Sequence, residues 1–68
     1  MDAMMKIIQD VAEELSGFRP FPEDDFSFLD SLEYTELVME VEKRCDKRLP
    51  DGVFPETVEK LAEMLEKI

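Results

Sequence analysis

Ser31 is the residue whose type and position in this sequence best suit covalent chemistry. It lies in the tetrapeptide Asp30-Ser31-Leu32-Glu33, where a glutamate follows an aspartate with the spacing of a helix capping box. A hydroxyl on the first residue of a helix lies beside free N–H groups and the positive end of the helix dipole, which suits a phosphorylated product. The sequence contains no histidine, so a Ser-His-Asp triad is excluded. Ser31 is therefore either an acceptor that the base of another enzyme activates or, as the residues alone favour, part of a tetrapeptide that only caps a helix.

A lone cysteine and an acidic run are the other candidates for chemistry in the sequence. Cys45 falls on the apolar face of a predicted helix, where a cysteine is usually an inert small hydrophobe. Glu23, Asp24 and Asp25 form an acidic run without the alternating ligands and the glycine of a calcium loop. We expect a core cysteine and a solvated charge run, and no metal site.

Apolar residues recur at helical spacing in three stretches, which predicts three amphipathic helices. The first covers residues 1–16, with Asp2 as N-cap and Gly17 as the stop. The second begins at Asp30 or Ser31 and ends near position 45, and the last runs from position 56 or 57 to the end. The predicted core stripes are Met4, Ile8, Val11 and Leu15; Leu37, Val38, Val41 and Cys45; and Val58, Leu61, Ala62, Leu65 and Ile68.

Two segments connect these helices. Residues 18–30 form a long loop with four phenylalanines, and we expect some of the rings to enter the core. Pro50, Gly52 and Pro55 break the next segment into a turn, with at most one helical turn around residues 51–54. The predicted fold is all-α, a single domain over residues 1–68 with three main helices and a short or irregular third segment.

Size and charge limit the function. The chain has 68 residues and a net charge of −10. A chain of this length leaves little room for a substrate cleft of its own, so we expect no enzyme. The negative field repels nucleic acid and favours partners with a basic face. One cysteine, no secretory pattern and no apolar run near the ~18 residues of a membrane span predict a cytoplasmic monomer without membrane insertion.

The stretch 30–42, DSLEYTELVMEVE, resembles the signature of the acyl carrier proteins, in which Asp-Ser-Leu is followed by an acidic residue and then by Glu-Leu-Val. The resemblance extends over nearly the whole chain. It includes the order and lengths of the helices, a Leu49-Pro50-Asp51 turn similar to the family's Ile-Pro-Asp, and a Thr57-Val58 start to the last helix.

The resemblance implies a carrier helix bundle without catalytic activity. A separate magnesium-dependent phosphopantetheinyl transferase would attach 4′-phosphopantetheine from coenzyme A to Ser31, between Asp30 and Leu32. The thiol of that arm would carry an acyl group as a thioester. Acyl-transferring or condensing enzymes would dock through basic patches. The residues expected to meet them are Glu33, Glu36, Met39, Glu40 and Glu42. The interior, including Val38, Val41 and Leu61, would shelter the acyl chain.

The sequence also departs from the family pattern. Phe28 and Leu29 stand where a glycine and a small residue are usual, so we expect a bulkier approach to Ser31. Cys45 replaces a phenylalanine, and Lys43 lies where the contact face is normally acidic. These differences indicate a specialised carrier for fatty-acid or polyketide and other secondary-metabolite synthesis. The alternative is an unmodified acidic adaptor that binds proteins through Glu33, Glu36, Glu40 and Met39.

Overall fold

Three α-helices form the fold: α1 (Asp2–Ser16), α2 (Ser31–Cys45) and α3 (Val58–Glu66). The structure, a computed structural model, describes the backbone of residues 2–68 and the side chains of residues 3–68. Within that range there is no strand, only an isolated bridge between Asp25 and Thr57. The predicted all-α class is therefore confirmed. The predicted cap at Asp2 involves a side chain outside the described residues.

Helix α1 is the element on which both other helices pack. The Cα atoms of α2 and α3 stay more than 8 Å apart. Buried apolar side chains fill the space between them. They are Met4, Ile8, Val11, Ala12, Phe26, Leu29, Leu37, Val41, Val58, Leu61, Ala62 and Leu65.

Two of the predicted core stripes extend beyond the observed core at their C-terminal ends. Leu15 is 36% exposed and Ile68 is 54% exposed, so their assignment to the core was wrong. Both lie at or beyond the last turn of a helix, and each lines an open cavity beside α2. Val38 and Cys45 are both half-buried, and of the two Cys45 packs against the core.

The loop 17–30 crosses from the end of α1 to the start of α3. Gly17 ends α1 with φ of 79°, a left-handed conformation that glycine adopts without strain. Pro22 and Asp24 then supply carbonyl oxygens to the N–H groups of Glu59 at 2.9 Å and Val58 at 3.1 Å. These bonds satisfy N–H groups that a helix start leaves without partners. The loop is therefore part of the helix assembly.

The phenylalanines of this loop divide into two groups. Phe26 is buried in the core and Phe28 packs against it, whereas Phe18 and Phe21 are 45% and 65% exposed. The expectation that some rings enter the core is confirmed.

The segment between α2 and α3 contains turns and no helix. Gly52 has φ of 79°, and the N–H of Val53 donates to the carbonyl of Pro50 at 3.4 Å. The expected irregular segment is confirmed, and the optional helical turn there does not form because prolines and glycine interrupt it. No helix within residues 2–68 has the length and apolarity needed to span a membrane.

Candidate functional site

Ser31 is the first residue of α2, and the residues on either side hold it at the helix start. The Asp30 carboxylate accepts a hydrogen bond from the N–H of Glu33 at 2.7 Å. In return the Glu33 carboxylate accepts from the N–H of Asp30 at 3.2 Å. This reciprocal pair is the capping box that the sequence predicted. It sets the backbone direction from which the Ser31 side chain leaves.

The core holds the same helix start from the other side. Leu29 is 8% exposed, and the ring of Phe26 packs edge-on against Tyr34 with centroids 5.2 Å apart. The Tyr34 hydroxyl donates to the carbonyl of Pro55 at 3.1 Å. Burial raises the pKa of Tyr34 above its ordinary value. Ser31 therefore lies on a helix turn that core packing and the Tyr34 hydrogen bond hold in place.

Phe28 and Leu29 were predicted to make the approach to Ser31 bulkier, and in the structure both side chains pack against other parts of the fold. Leu29 is buried in the core, and Phe28 packs edge-on against Phe18 with ring centroids 5.1 Å apart. Both side chains are engaged by the fold. Ser31 and Leu32 next to it are exposed.

The surroundings of Ser31 provide hydrogen-bond donors but no base. Its carbonyl accepts from the Thr35 hydroxyl at 2.9 Å. Among the described residues, no group accepts or donates a hydrogen bond at the Ser31 hydroxyl, and the backbone N–H groups of Ser31 and Leu32 are also unpaired. An electrophile at Ser31 would thus meet two free donors, and the proton of the hydroxyl must leave to a base outside this part of the chain.

The five predicted partner-binding residues have different roles in the structure. Glu36 and Met39 are exposed, and Met39 is 63% accessible. Glu33, Glu40 and Glu42 are half-buried. Glu33 completes the capping box, and Glu42 accepts from the N–H of Leu49 at 2.7 Å. Only Glu36 and Met39 of the five are thus exposed and without a bond to the fold among the described residues.

Arg44 ties α2 to α1 beside this face. Its guanidinium donates to both carboxylate oxygens of Glu14, at 2.7 and 3.2 Å, and to Glu40 at 2.9 Å. The hydrogen bonds that Arg44 donates to Glu14 and, to a lesser extent, to Glu40 raise the pKa of Arg44. The pair with Glu40 joins residues four apart on one helix, a spacing that the sequence itself indicates. Sequence reasoning missed Glu14, since contacts between distant positions leave no periodic signal.

An open groove of about 280 Å³ lies between α2 and the segment that follows it. Val38 and Met39 line it from the helix, and Leu49, Val53 and Phe54 line it from the segment. Phe54 is 75% exposed. Sequence reasoning missed these segment residues, although apolar side chains between prolines were a visible signal. Of the residues predicted to shelter a chain, Val38 lines the groove.

Val41 and Leu61, the other two residues predicted to shelter an acyl chain, are fully buried in the core.

Residues 3–68 contain no group of histidine, cysteine or acidic side chains arranged to hold a metal. In the acidic run, Asp24 accepts from the N–H of Phe21 at 2.8 Å and Asp25 from that of Ser27 at 3.0 Å. Hydrogen bonds from the hydroxyl and the backbone of Ser27 lower the pKa of Asp25. The run therefore shapes the loop.

Comparison with models of protein families, with curated proteins and with solved structures found no match to this chain.

Proposed function

We propose that this chain is an acyl carrier protein that holds acyl intermediates as thioesters on a 4′-phosphopantetheine arm attached to Ser31. The observation that carries the proposal is the exposed Ser31 hydroxyl on the first residue of a helix held by the capping box and by Tyr34. An attachment residue must be open to a transferase and rigidly presented, and this serine is both. We assign it to fatty-acid or secondary-metabolite synthesis in the cytoplasm.

The residues around Ser31 fit a phosphodiester. The free N–H groups of Ser31 and Leu32, together with the helix dipole, favour a negative group on the hydroxyl. The oxygen of Ser31 would form a bond to the phosphorus that carries the pantetheine as the pyrophosphate bond of coenzyme A breaks. Adenosine 3′,5′-bisphosphate would leave, and the hydroxyl proton would pass to a base of the transferase. The arm supplies a terminal thiol, which carries the acyl group.

The charge distribution supports partners with basic docking patches. Eleven acidic and two basic residues precede Glu42, whereas seven acidic and six basic residues lie from Glu42 onward. The negative charge is therefore concentrated in the residues before Glu42, which include Ser31. Beside it Glu36 supplies a free carboxylate, and Leu32 and Met39 supply apolar contacts at 68% and 63% exposure. Such a field accelerates encounter with a basic surface.

The groove beside α2 is the place we assign to the acyl chain. Val38, Leu49, Val53 and Phe54 give it apolar walls. Because it is open along the surface, a chain would enter without separating the fully buried residues of the core.

The modification is tested by mass spectrometry of the intact protein. The chain is incubated with coenzyme A, magnesium and several phosphopantetheinyl transferases of broad specificity. We expect one phosphopantetheinyl group per chain, none on Ser31→Ala, and full modification of Ser27→Ala, which removes another exposed serine hydroxyl. Unmodified protein with every transferase would reject the proposal.

The same exposed surface favours one alternative, an unmodified adaptor. Leu32, Glu36 and Met39 are all exposed, and this composition suits a protein-binding face. The adaptor hypothesis predicts that Ser31→Ala leaves the biological activity intact, whereas the carrier hypothesis predicts its loss.

A further inference from the structure

The C-terminal end of α2 carries a basic cavity that is separate from the surroundings of Ser31. Lys43, Lys47 and Arg48 line an open cavity of about 830 Å³, together with the apolar side chains of Met39 and Ile68. Glu42 and Asp46 also line it, so the cations outnumber the anions by one. The other three cavities described are lined by a net negative or balanced set of side chains. A positive lining is unexpected in a chain with net charge −10.

The charged groups that line the cavity are held in different ways, and Asp46 is an exposed anion among them. The Glu42 carboxylate is half-buried and accepts from the N–H of Leu49 at 2.7 Å. The Lys47 ammonium donates to the carbonyl of Leu65 at 3.0 Å, which fixes its position and leaves further protons to donate. Within residues 3–68, Lys43 and Arg48 have no ion-pair partner. Two free cations and one oriented cation therefore face the cavity.

We propose that this cavity binds the carboxylate of an apolar chain, with the anionic head on Lys43, Lys47 and Arg48 and the chain against Met39 and Ile68. The exposed fractions of Met39 and Ile68, 63% and 54%, leave apolar surface for such a chain to cover. A purely inorganic anion would leave that surface in water.

Two sources of such a ligand exist. One is a free fatty-acid-like amphiphile. The other is cargo on Ser31 that ends in a carboxylate, since Lys43 lies twelve residues further along α2, about 18 Å along the axis at ~1.5 Å per residue. Met39 and Glu42 line both the groove beside α2 and the basic cavity, so the two sites are adjacent. The second source rests on the proposed function and the first does not.

The test titrates the unmodified chain with octanoate and, as the neutral control, octanamide, followed by amide chemical shifts. We expect saturable shifts at Lys43, Lys47, Arg48 and Ile68 with octanoate. Lys43→Gln/Arg48→Gln should bind about fivefold more weakly, from two exposed charge contacts of ~0.5 kcal/mol each. Lys6→Gln/Lys60→Gln has the same net charge and should bind as the parent does. Equal binding of octanamide, equal loss in both double variants, or no saturable shifts would overturn the proposal.

A second arm separates the sources. Chains charged on Ser31 with an octanoyl group or with the half-thioester of octanedioic acid are titrated with octanoate. Loss of binding only in the octanedioyl form identifies tethered cargo as the ligand, and binding in both forms identifies a free amphiphile. Failure of charging would reject the carrier function, while the octanoate result from the unmodified chain would stand independently.

Discussion

Replacing Asp30 separates its capping role from any role in recognition of Ser31. In Asp30→Ala the N–H of Glu33 loses its acceptor at 2.7 Å, and the bond from the N–H of residue 30 to the Glu33 carboxylate is no longer part of a reciprocal pair. Loss of an N-cap costs about 1 kcal/mol, within a range of about 0.5–2 kcal/mol. For a domain of this size, that should lower the melting temperature by roughly 4–8 °C. Asp30→Ser keeps an acceptor for the same N–H and should stay within about 0.5 kcal/mol of the parent.

The assay is thermal and urea denaturation followed by far-ultraviolet circular dichroism. Glu36→Ala serves as the matched control, since Glu36 is an exposed acidic residue of the same helix with no bond among the described residues. It should change the stability by less than about 0.5 kcal/mol. Equal destabilisation by Asp30→Ala and Asp30→Ser would show that the cap is not the source of the effect.

The same variants then report on recognition. If the carboxylate only caps, Asp30→Ser is modified by the transferase as fast as the parent. If the carboxylate also contacts the transferase, Asp30→Ser stays folded but is modified slowly. Rates of phosphopantetheine transfer, measured by intact mass at several times, distinguish the two roles.

Three further changes test the packing and the electrostatics. Leu37→Ala removes a fully buried side chain. It should lower the free energy of unfolding by about 2–5 kcal/mol and leave much of the chain unfolded, which urea titration measures. Unchanged stability would contradict the assigned core. Arg44→Gln removes the exposed ion pairs with Glu14 and Glu40. It should lower the free energy of unfolding by less than about 1 kcal/mol, and the loss should become smaller as salt is added. A larger loss that does not depend on salt would refute the assignment of these ion pairs as weak and exposed. Burial raises the pKa of Tyr34 in the folded state, so its stabilising effect is fully present below the ordinary tyrosine pKa of about 10 and is lost as the pH rises through the folded value. Denaturation curves of the parent should therefore show a fall in stability at alkaline pH, and Tyr34→Phe should show a smaller one; identical pH profiles would reject this assignment.

The parts of the fold that rest on local interactions were predictable. The capping box joins residues three apart, and the pair of Glu40 with Arg44 joins residues one turn apart, so both leave a readable spacing. Helix positions follow from the same periodicity. At Leu15 and Ile68 the periodicity continues, but the side chains line open cavities beside α2 and are not packed in the core, and sequence alone does not show where the close packing stops.

The parts that rest on distant contacts were not predictable. Glu42 was expected to face partners, yet its carboxylate receives the N–H of Leu49 across a turn. Arg44 reaches Glu14, thirty positions earlier in the chain. The groove beside α2 forms only because the irregular segment folds back along the helix. The attachment role of Ser31 and its partners stay predictions, because they depend on molecules that act on the chain.

The bonds between the loop and α3 imply an order of folding. Helix α3 has nine residues, and isolated helices shorter than about 12–15 residues are marginal in water. Its first N–H groups bond to the carbonyls of Asp24 and Pro22, more than thirty positions earlier. Closing so long a contact is slow relative to forming a helix turn. We therefore expect α1 and α2 to associate first, α3 to form last, and the amide hydrogens of α3 to exchange together with those of the loop.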